Sequence, residues 1–302
     1  MEHFPIRTDL ALESKERLEA EKNEMRGVTF EEIHDEKRNV TITKVVIETE
    51  NGAKAIGKPI GTYLTLEAPD MAIPDEGSHR EVSEVFSEQL RAIIKDEIES
   101  VLVVGLGNRE VTPDALGPEV ISNLYITRHI LREYGEYAFP DKKVASISGI
   151  VPGVMAQTGM ESLEIIKGIV RETNPQLVIA IDALAARSVK RLGRTIQLAD
   201  TGITPGSGVG NSRAAFDKAS LGVPVLAVGV PTVVEANTLL WDVLEENGCK
   251  NGKNSMKYDH SLVVAPKDID ARVDVISRLL GYGISLGLHR GLCMEDVSCL
   301  VG

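Results

Sequence analysis

The stretch that decides the fold is SVLVVGLGNREVTPDALGPE, residues 100–119. Its residues 101–104 form a short continuous run of aliphatic side chains, which is typical of a parallel strand buried on both faces. Gly105 and Gly107 then allow the backbone to turn sharply, and the Thr-Pro-Asp run that ends at Asp114 is a typical start for a helix. Asp114 is therefore predicted to lie near the carboxyl end of a strand, which is the edge where open α/β sheets bind ligands.

A second carboxylate is predicted at the same edge of the sheet. Residues 177–181 form another continuous apolar run, and this run ends at Asp182. If the two strands are neighbours, Asp114 and Asp182 meet in one crevice, where one pKa rises and the pair can share a proton. Each aspartate taken singly is more often an N-cap or a turn residue, but equivalent positions at two strand ends favour a catalytic pair.

The composition is that of an ordinary globular α/β protein. Of the 302 residues, 43% are hydrophobic and 26% are charged, so the chain can bury a large core as one domain. Aromatic residues make up only 4%, so the core must consist mainly of Val, Ile, Leu and Ala, as in sheets with parallel strands. Strand-like and helix-like segments alternate after residue 100, which predicts a three-layer α/β/α arrangement around a mostly parallel sheet.

A different pattern occupies residues 28–66, before the central stretch. Residues 40–49 and 60–66 alternate between apolar and polar side chains and are rich in β-branched residues, as expected for half-buried strands. Asn51 and Gly52 between them predict a turn. We therefore expect residues 28–66 to add an antiparallel segment to the main sheet.

Charge and cysteine content exclude several classes of protein. The formal net charge of −12 would repel nucleic-acid phosphates, so direct nucleic-acid binding is not expected. The three cysteines, Cys249, Cys293 and Cys299, lack the spacing of a metal site and indicate reduced thiols in a cytoplasmic compartment. The sequence shows no signal-peptide pattern and no apolar run long enough to span a membrane, so we expect no membrane partner.

Residues 202–212 form a glycine-rich stretch, GITPGSGVGNS. Such a loop presents several backbone N–H groups, which can pair with the carbonyls of an extended peptide. Phosphate binding is less favoured, because the stretch lacks the Gly-Lys-Ser/Thr ending of a phosphate-binding loop. A surface loop without a binding role is the alternative.

Three segments carry a family resemblance: residues 105–118, 181–187 and 200–213. They resemble the germination protease family of endospore-forming bacteria. Members of that family are atypical aspartic endopeptidases that degrade small acid-soluble spore proteins during germination. The resemblance extends from Arg7 to about Asn237 and is weaker beyond.

The resemblance implies a function and a setting. Asp114 and Asp182 would be the catalytic pair, one carboxylate acting as general base toward water and the other, protonated, polarising the scissile carbonyl. The substrates would be small acid-soluble spore proteins. We expect no cofactor and no metal, because the candidate site offers two carboxylates and the three segments contain no His or Cys, whereas a catalytic zinc site normally has three protein ligands that include His or Cys. The protein would act in the cytoplasm of the forespore or spore core and would assemble as a homotetramer.

The resemblance also implies that the chain is made as a zymogen. Members of the family remove a short N-terminal propeptide by self-cleavage between an Asp and a Leu, here Asp9 and Leu10. The propeptide would be residues 1–9, and residues 10–302 would form a single peptidase domain. Substrates of the family are cut after Glu and before a large apolar residue followed by Ala, and the run from Thr8 to Ala11 imitates that pattern.

Five further residues are expected to contact the substrate. Arg187 belongs to a basic cluster just after Asp182, and its guanidinium could bind the acidic side chain before the scissile bond. A solvated surface without a binding role is the alternative for this cluster. The other four lie in the central stretch and in the glycine-rich stretch: Asn108, Thr112, Gly206 and Ser207.

Two other functions are compatible with parts of the sequence. A buried strand followed by Gly105 and Gly107 occurs in dinucleotide-binding proteins, but the third glycine of that fingerprint would fall at Glu110, whose carboxylate would meet a pyrophosphate. The same glycines and residues 181–183 also resemble hydrogenase-maturation endopeptidases, which hold nickel with carboxylates and a His on a similar fold. That resemblance is shorter, and it leaves a metal-dependent endopeptidase as the alternative.

Overall fold

The computed structural model describes residues 8–20, 26–71, 75–94, 97–140, 142–206, 213–239 and 262–301. Within these ranges the strands form one continuous mixed sheet. The strands are β1 (Val28–Asp35), β2 (Val40–Ile47), β3 (Gly61–Glu67), β4 (Ser100–Gly105), β5 (Ser146–Ile150), β6 (Leu177–Ala186), β7 (Thr195–Ala199), β8 (Val225–Glu235) and β9 (Val263–Val264).

The helices of the described residues range from single turns to five turns. They are α1 (Ala11–Ala20), α2 (Glu50–Ile56), α3 (Glu76–Ile94), α4 (Leu116–Ser122), α5 (Arg128–Tyr134), α6 (Met155–Thr158), α7 (Ser162–Thr173), α8 (Lys218–Leu221), α9 (Ile269–Leu288) and α10 (Met294–Val301). None of these described helices combines the length and the apolar character that crossing a membrane requires.

The sheet has a parallel part and an antiparallel part. Its order is β1-β2-β3-β7-β8-β6-β4-β5, and β9 pairs with the end of β8. Strands β8, β6, β4 and β5 are mutually parallel, whereas β1, β2, β3, β7 and β8 pair in antiparallel fashion. The predicted α/β class is confirmed, including the antiparallel segment at residues 28–66. Strand β7 joins the two parts of the sheet because it pairs with both β3 and β8.

Helices cover both faces of the parallel strands, which makes three layers. Along β4, Val101 and Val103 belong to the core formed with α3, α4 and α9, whereas Leu102 and Val104 belong to the core formed with α7 and α8. Alternate side chains of this strand enter two different cores, and this is why residues 101–104 are all apolar. Full burial of each aliphatic side chain of this kind contributes about 1.5–3 kcal/mol to the free energy of unfolding.

Two local predictions differ from the structure. Asn51 and Gly52 lie in α2 instead of a turn, because the Thr49 side chain caps that helix by accepting a hydrogen bond from Gly52 N at 3.1 Å. The sequence also predicts a helix beginning at Pro231, since proline is common at the first position of helices, but Pro231 lies within β8. A register shift in the pairing of β6 with β8 occurs next to Pro231, and such an irregularity accommodates a residue that has no N–H to donate.

Candidate active site

Asp182 lies in β6 at the point where its neighbour β4 has ended. The last pair of β4 with β6 joins Gly105 to Ile181, so Asp182 is the first residue beyond it. The prediction that Asp182 ends its own strand was wrong, because β6 continues to Ala186 through its pairing with β8. Asp182 is only 5% exposed, so its carboxyl is held deep at the edge of the parallel sheet.

Asp114 reaches the same place from the loop that follows β4. It ends a short 3₁₀ turn, Thr112–Asp114, and its Oδ2 accepts a hydrogen bond from Asn108 N at 2.8 Å. Gly107 makes this approach possible, because it has a φ of 111° and a Cβ there would lie 2.1 Å from the carbonyl oxygen of Asp114. Only glycine fits this position without displacing Asp114.

The two aspartates line one cavity of 430 Å³, as the prediction of a shared crevice requires. Asp9 and Arg213 line the same cavity. Burial raises the pKa of Asp182 well above its ordinary value, and the charges of Asp114 and Asp9 raise it further. Two contacts oppose this rise in pKa, the Ala183 N–H at 3.0 Å from Asp182 Oδ1 and the charge of Arg213.

The pKa of Asp114 is raised as well. Burial is the main cause, and the backbone N–H of Asn108 and the charge of Arg213 oppose it. Two carboxyls with raised pKa values in one cavity can share a proton, which is what a general acid and base pair needs. Arg213 lines the same cavity, and its positive charge limits the rise in both pKa values.

The residues predicted to bind substrate lie at different distances from this cavity. Gly206 lines it, and Asn108 binds Asp114 through its backbone while its side chain accepts a hydrogen bond from Gln157 Nε2 at 3.2 Å. Thr112 is exposed in the 3₁₀ turn, and the described lining of the cavity includes neither Thr112 nor Arg187. Ser207 and the rest of the glycine-rich stretch up to residue 212 lie outside the described residues.

The N-terminal segment docks against the same cavity. Asp9 N donates to the carbonyl oxygen of Ala185 at 3.0 Å, and Ala185 N donates to Asp9 Oδ2 at 2.9 Å. Leu10 is fully buried. Its neighbours in a small apolar cluster are Leu184, Ala186, Leu192 and Val234. Asp9 therefore lies in the cavity of the aspartate pair, and Leu10 packs against the end of β6.

Hydrogen bonds and ion pairs hold helix α1 against the residues that follow β6. Glu13 is 3% exposed, and its carboxylate accepts hydrogen bonds from Arg187 N at 2.7 Å and Ser188 N at 3.0 Å. Arg191 pairs with Glu13 at 3.2 Å and with Glu16 at 2.6 Å. Part of the basic cluster therefore anchors the N-terminal segment of the chain.

Sequence reasoning missed two residues that contact this segment. The carbonyl oxygen of Asp9 accepts hydrogen bonds from Lys58 Nζ and from Gln197 Nε2, each at 3.0 Å. Lys58 follows α2, and Gln197 lies in β7. No local pattern marks either residue, because their role depends on contacts with a segment far away in the sequence.

The described residues do not bring together three or more His, Cys, Asp or Glu side chains in a group that could hold a metal ion. His289 is fully buried and is not part of the described lining of this cavity, and its Nδ1 accepts a hydrogen bond from Ala145 N at 3.2 Å. Cys293 is exposed and carries a free thiol.

Comparison with known proteins gives consistent matches. The model of the germination protease family matches residues 6–247. A germination protease from Caldanaerobacter subterraneus subsp. tengcongensis is 43% identical, and the match covers 98% of each chain. Germination proteases from Clostridium perfringens (42% identical over 98% of each chain) and from Priestia megaterium (45% identical over 81% of this chain and 68% of that one) are similar as well.

Among solved structures, the NiFe hydrogenase maturation protease HycI from Thermococcus kodakarensis KOD1 is similar to this chain. The match covers 65% of this chain and 98% of HycI. The TM-score is 0.34 and the sequence identity is 17%. A likeness at that level carries no information about mechanism.

Proposed function

Because this chain belongs to the germination protease family, we propose that it is an endopeptidase of spore germination whose catalytic groups are Asp114 and Asp182. That it is a protease follows from the family. The observation that carries the mechanism is the shared cavity, which both carboxyls line and in which burial raises both pKa values. The substrates we propose are small acid-soluble spore proteins, as the sequence resemblance implies.

The two carboxyls divide the work according to their burial. Asp182 is the more deeply buried and has the more strongly raised pKa, so it is the protonated member that donates a hydrogen bond to the scissile carbonyl. Asp114 is partly exposed beside Arg213 and takes a proton from the attacking water. This division is that of general acid–base catalysis by two coupled groups.

The same site cleaves the chain itself, between Asp9 and Leu10. The support is the docked position of this segment, in which Asp9 lines the cavity and Leu10 is buried beside it. Residues 1–9 are then the propeptide, and residues 10–302 the peptidase domain. We propose that the docked segment occupies the place of a substrate and in this way keeps the zymogen inactive.

The docked segment also accounts for the sequence pattern of substrates. The acidic side chain of Asp9 binds Ala185 N, Leu10 fills an apolar pocket, and Ala11 is fully buried against a cluster that includes Ile56 and Tyr63. A substrate with an acid, a large apolar residue and an alanine in succession would make the same contacts. Gly206 and Arg213, which line the same cavity, would lie beside such a substrate.

The cellular location and the oligomeric assembly are proposed from the family as well. We propose that the protein acts in the cytoplasm of the forespore or spore core, without a direct nucleic-acid partner, and that it assembles as a homotetramer. Analytical ultracentrifugation of the purified protein measures the assembly, and a monomer or a dimer as the dominant species would contradict the tetramer.

The catalytic pair is tested by Asp114→Asn and Asp182→Asn, with the exposed Asp270→Asn as the matched control. We expect each active-site variant to lose nearly all turnover of a peptide containing Thr-Glu-Ile-Ala, while the control keeps it. Circular dichroism shows whether each variant is folded. Near-normal turnover by either folded active-site variant would falsify the proposed pair.

The cleavage position is tested by Asp9→Ala. This change removes the carboxylate that binds Ala185 N, so self-processing should slow or stop. Mass spectrometry of the wild-type protein should show a new N-terminus at Leu10. A terminus at any other residue would mean that the propeptide is misassigned.

A further inference from the structure

One backbone carbonyl of the docked segment is bound by two side-chain donors. The carbonyl oxygen of Asp9 accepts hydrogen bonds from the ammonium group of Lys58 and from the side-chain amide of Gln197, each at 3.0 Å. A carbonyl oxygen has two lone pairs, and the oxyanion that forms during cleavage has a third, so the two donors leave one acceptor site for the hydrogen bond from Asp182. Asp9 contributes this carbonyl to the bond that we propose is cleaved, so these donors contact the atom on which negative charge would develop.

Gln197 lies level with the catalytic Asp182 in the sheet. In the register of the strands, Gln197 of β7 pairs with Gly229 of β8, and Gly229 pairs with Asp182 of β6. Residues paired laterally point to the same face of a sheet, and two strand spacings separate them by about 10 Å. The space between them is therefore about the size of an extended peptide backbone.

Gly229 keeps that space free of a further side chain. A Cβ at Gly229 would lie 2.6 Å from the side chain of Leu184, which is on the same face as Asp182. Asp9, Lys58, Gln197 and Asp182 all line one cavity of 330 Å³ above this glycine. The donors and the aspartate pair therefore approach the same segment from two sides.

Both donors are held in place before any reaction begins. Gln197 is 8% exposed, and its Oε1 accepts a hydrogen bond from Ala11 N at 2.7 Å, which turns its NH₂ group toward the carbonyl of Asp9. Lys58 follows Gly57, which ends α2 with a φ of 75°. Burial lowers the pKa of Lys58, while the charges of Asp9 and Glu13 oppose that change. Fixed donors of this kind stabilise a developing oxyanion without reorganisation.

We propose that Lys58 and Gln197 form the oxyanion site of this protease, binding the oxygen of the scissile carbonyl and stabilising its negative charge during cleavage. The proposal rests on the proposed cleavage of the Asp9–Leu10 bond by the aspartate pair. It adds two catalytic residues: Gln197, from the antiparallel part of the sheet, and Lys58, from the loop after α2.

The reaction step balances with these groups. A water oxygen forms a bond to the carbonyl carbon of Asp9, and the proton of that water moves to the ionised carboxylate of the pair. The carbonyl π electrons move to the oxygen, which Lys58 and Gln197 hold. An electron pair of the oxyanion then re-forms the C=O bond as the C–N bond to Leu10 breaks. The electron pair of the broken bond stays on nitrogen, and that nitrogen takes a proton from the pair to leave as an amine. The products are a carboxylic acid and an amine, so one water is consumed.

The alternative is that the two donors only anchor the propeptide. An anchor would stabilise the docked segment without acting on the reaction, whereas an oxyanion site affects the rate of cleavage in the docked state. The variant Gln197→Glu separates the two roles, because it keeps the oxygen that accepts from Ala11 N and removes the NH₂ group that binds the carbonyl. Lys58→Met removes the ammonium group and keeps the length of the side chain.

The test measures self-cleavage of the full chain by mass spectrometry. We expect Gln197→Glu and Lys58→Met each to slow the first-order rate about 100-fold or more, as the loss of one oxyanion donor does in other hydrolases. Lys58→Arg should retain more activity than Lys58→Met, because a charged donor remains. Lys54→Met, an exposed lysine of α2, should cleave at the wild-type rate, and circular dichroism checks the fold of each variant.

Docking of the segment is measured separately by hydrogen exchange of residues 8–18 in an Asp114→Asn background, in which no chain is cut. Slow cleavage together with unchanged protection supports the oxyanion site. Slow cleavage with lost protection, or cleavage at the wild-type rate, overturns it. Continued self-cleavage of Asp114→Asn itself would instead contradict the proposed aspartate pair, so the two failures are distinguishable.

Discussion

Replacing Leu10 by Ala should weaken the docking of the N-terminal segment by a predictable amount. Leu10 is fully buried in a pocket formed by Leu184, Ala186, Leu192 and Val234. The change removes three carbon groups, and each buried group of this size is worth about 0.8 kcal/mol, or about 2.4 kcal/mol in total. Because 1.4 kcal/mol corresponds to a tenfold change, the docking equilibrium should fall about 50-fold.

Hydrogen exchange of the Ala11 amide measures this equilibrium. Ala11 N donates to Gln197 Oε1 at 2.7 Å, so the amide exchanges only when the segment opens, and its rate follows the opening equilibrium. In an Asp114→Asn background, which prevents cleavage, Leu10→Ala should exchange about 50-fold faster than the parent chain.

Two controls accompany the Leu10 variant. Leu10→Ile conserves volume and should change the exchange rate only a few-fold, and Leu262→Ala alters a leucine that is 54% exposed and should have no effect. Exchange of the Ala11 amide at an unchanged rate in folded Leu10→Ala would refute the argument that this pocket holds the segment.

Three other predictions concern the buried side chains of Asp182 and His289 and the dependence of activity on metal ions. Burial raises the pKa of Asp182 above its ordinary value of 3.8, which applies to the unfolded chain, so ionisation of this carboxyl opposes folding above pH 3.8. Asp182→Asn should therefore raise the midpoint of thermal unfolding at pH 7, and this gain should vanish below pH 3.8. Burial lowers the pKa of His289 from 6.5 to about 4, so the unfolded chain takes up the proton first. The free energy of unfolding should therefore fall as the pH drops from 6.5 toward 4, by up to about 1.4 kcal/mol per pH unit. Denaturant titrations of His289→Asn should lack this pH dependence, and a dependence identical to that of the wild-type protein would refute the argument. Peptide turnover should survive exhaustive chelation; activity that is lost and then returns with zinc or nickel would make Asp114 and Asp182 metal ligands.

Local patterns determined much of the parallel core. The runs at residues 101–104 and 177–181 are continuously apolar because each strand lies between two layers of helices, and this requirement is visible in the sequence without knowledge of the neighbours. Gly107 and the turn to Asp114 are equally local, since the loop brings the carboxyl back to Asn108 within six residues. The membership of the germination protease family, inferred from three segments, is confirmed by the comparisons.

The length of β6 was not decided locally. Asp182 interrupts an apolar run and resembles the end of a strand, but pairing with β8 carries β6 on to Ala186. The added residues provide Ala185, which binds Asp9, and Leu184 and Ala186, which enclose Leu10. The binding surface for the cleaved segment therefore depends on a strand partner that lies some fifty residues further along the chain.

Only the tertiary structure decided which distant residues meet at the Asp9 carbonyl. Lys58 and Gln197 are 49 and 188 positions away from it, and a lysine after a helix or a glutamine in a strand carries no functional pattern by itself. They meet because β7 lies between β3 and β8, which places Gln197 level with Asp182, and because the N-terminal segment folds back along β6. Strand order and chain return are set by packing between segments remote in sequence, whereas periodicity and turn residues report only on their immediate neighbours.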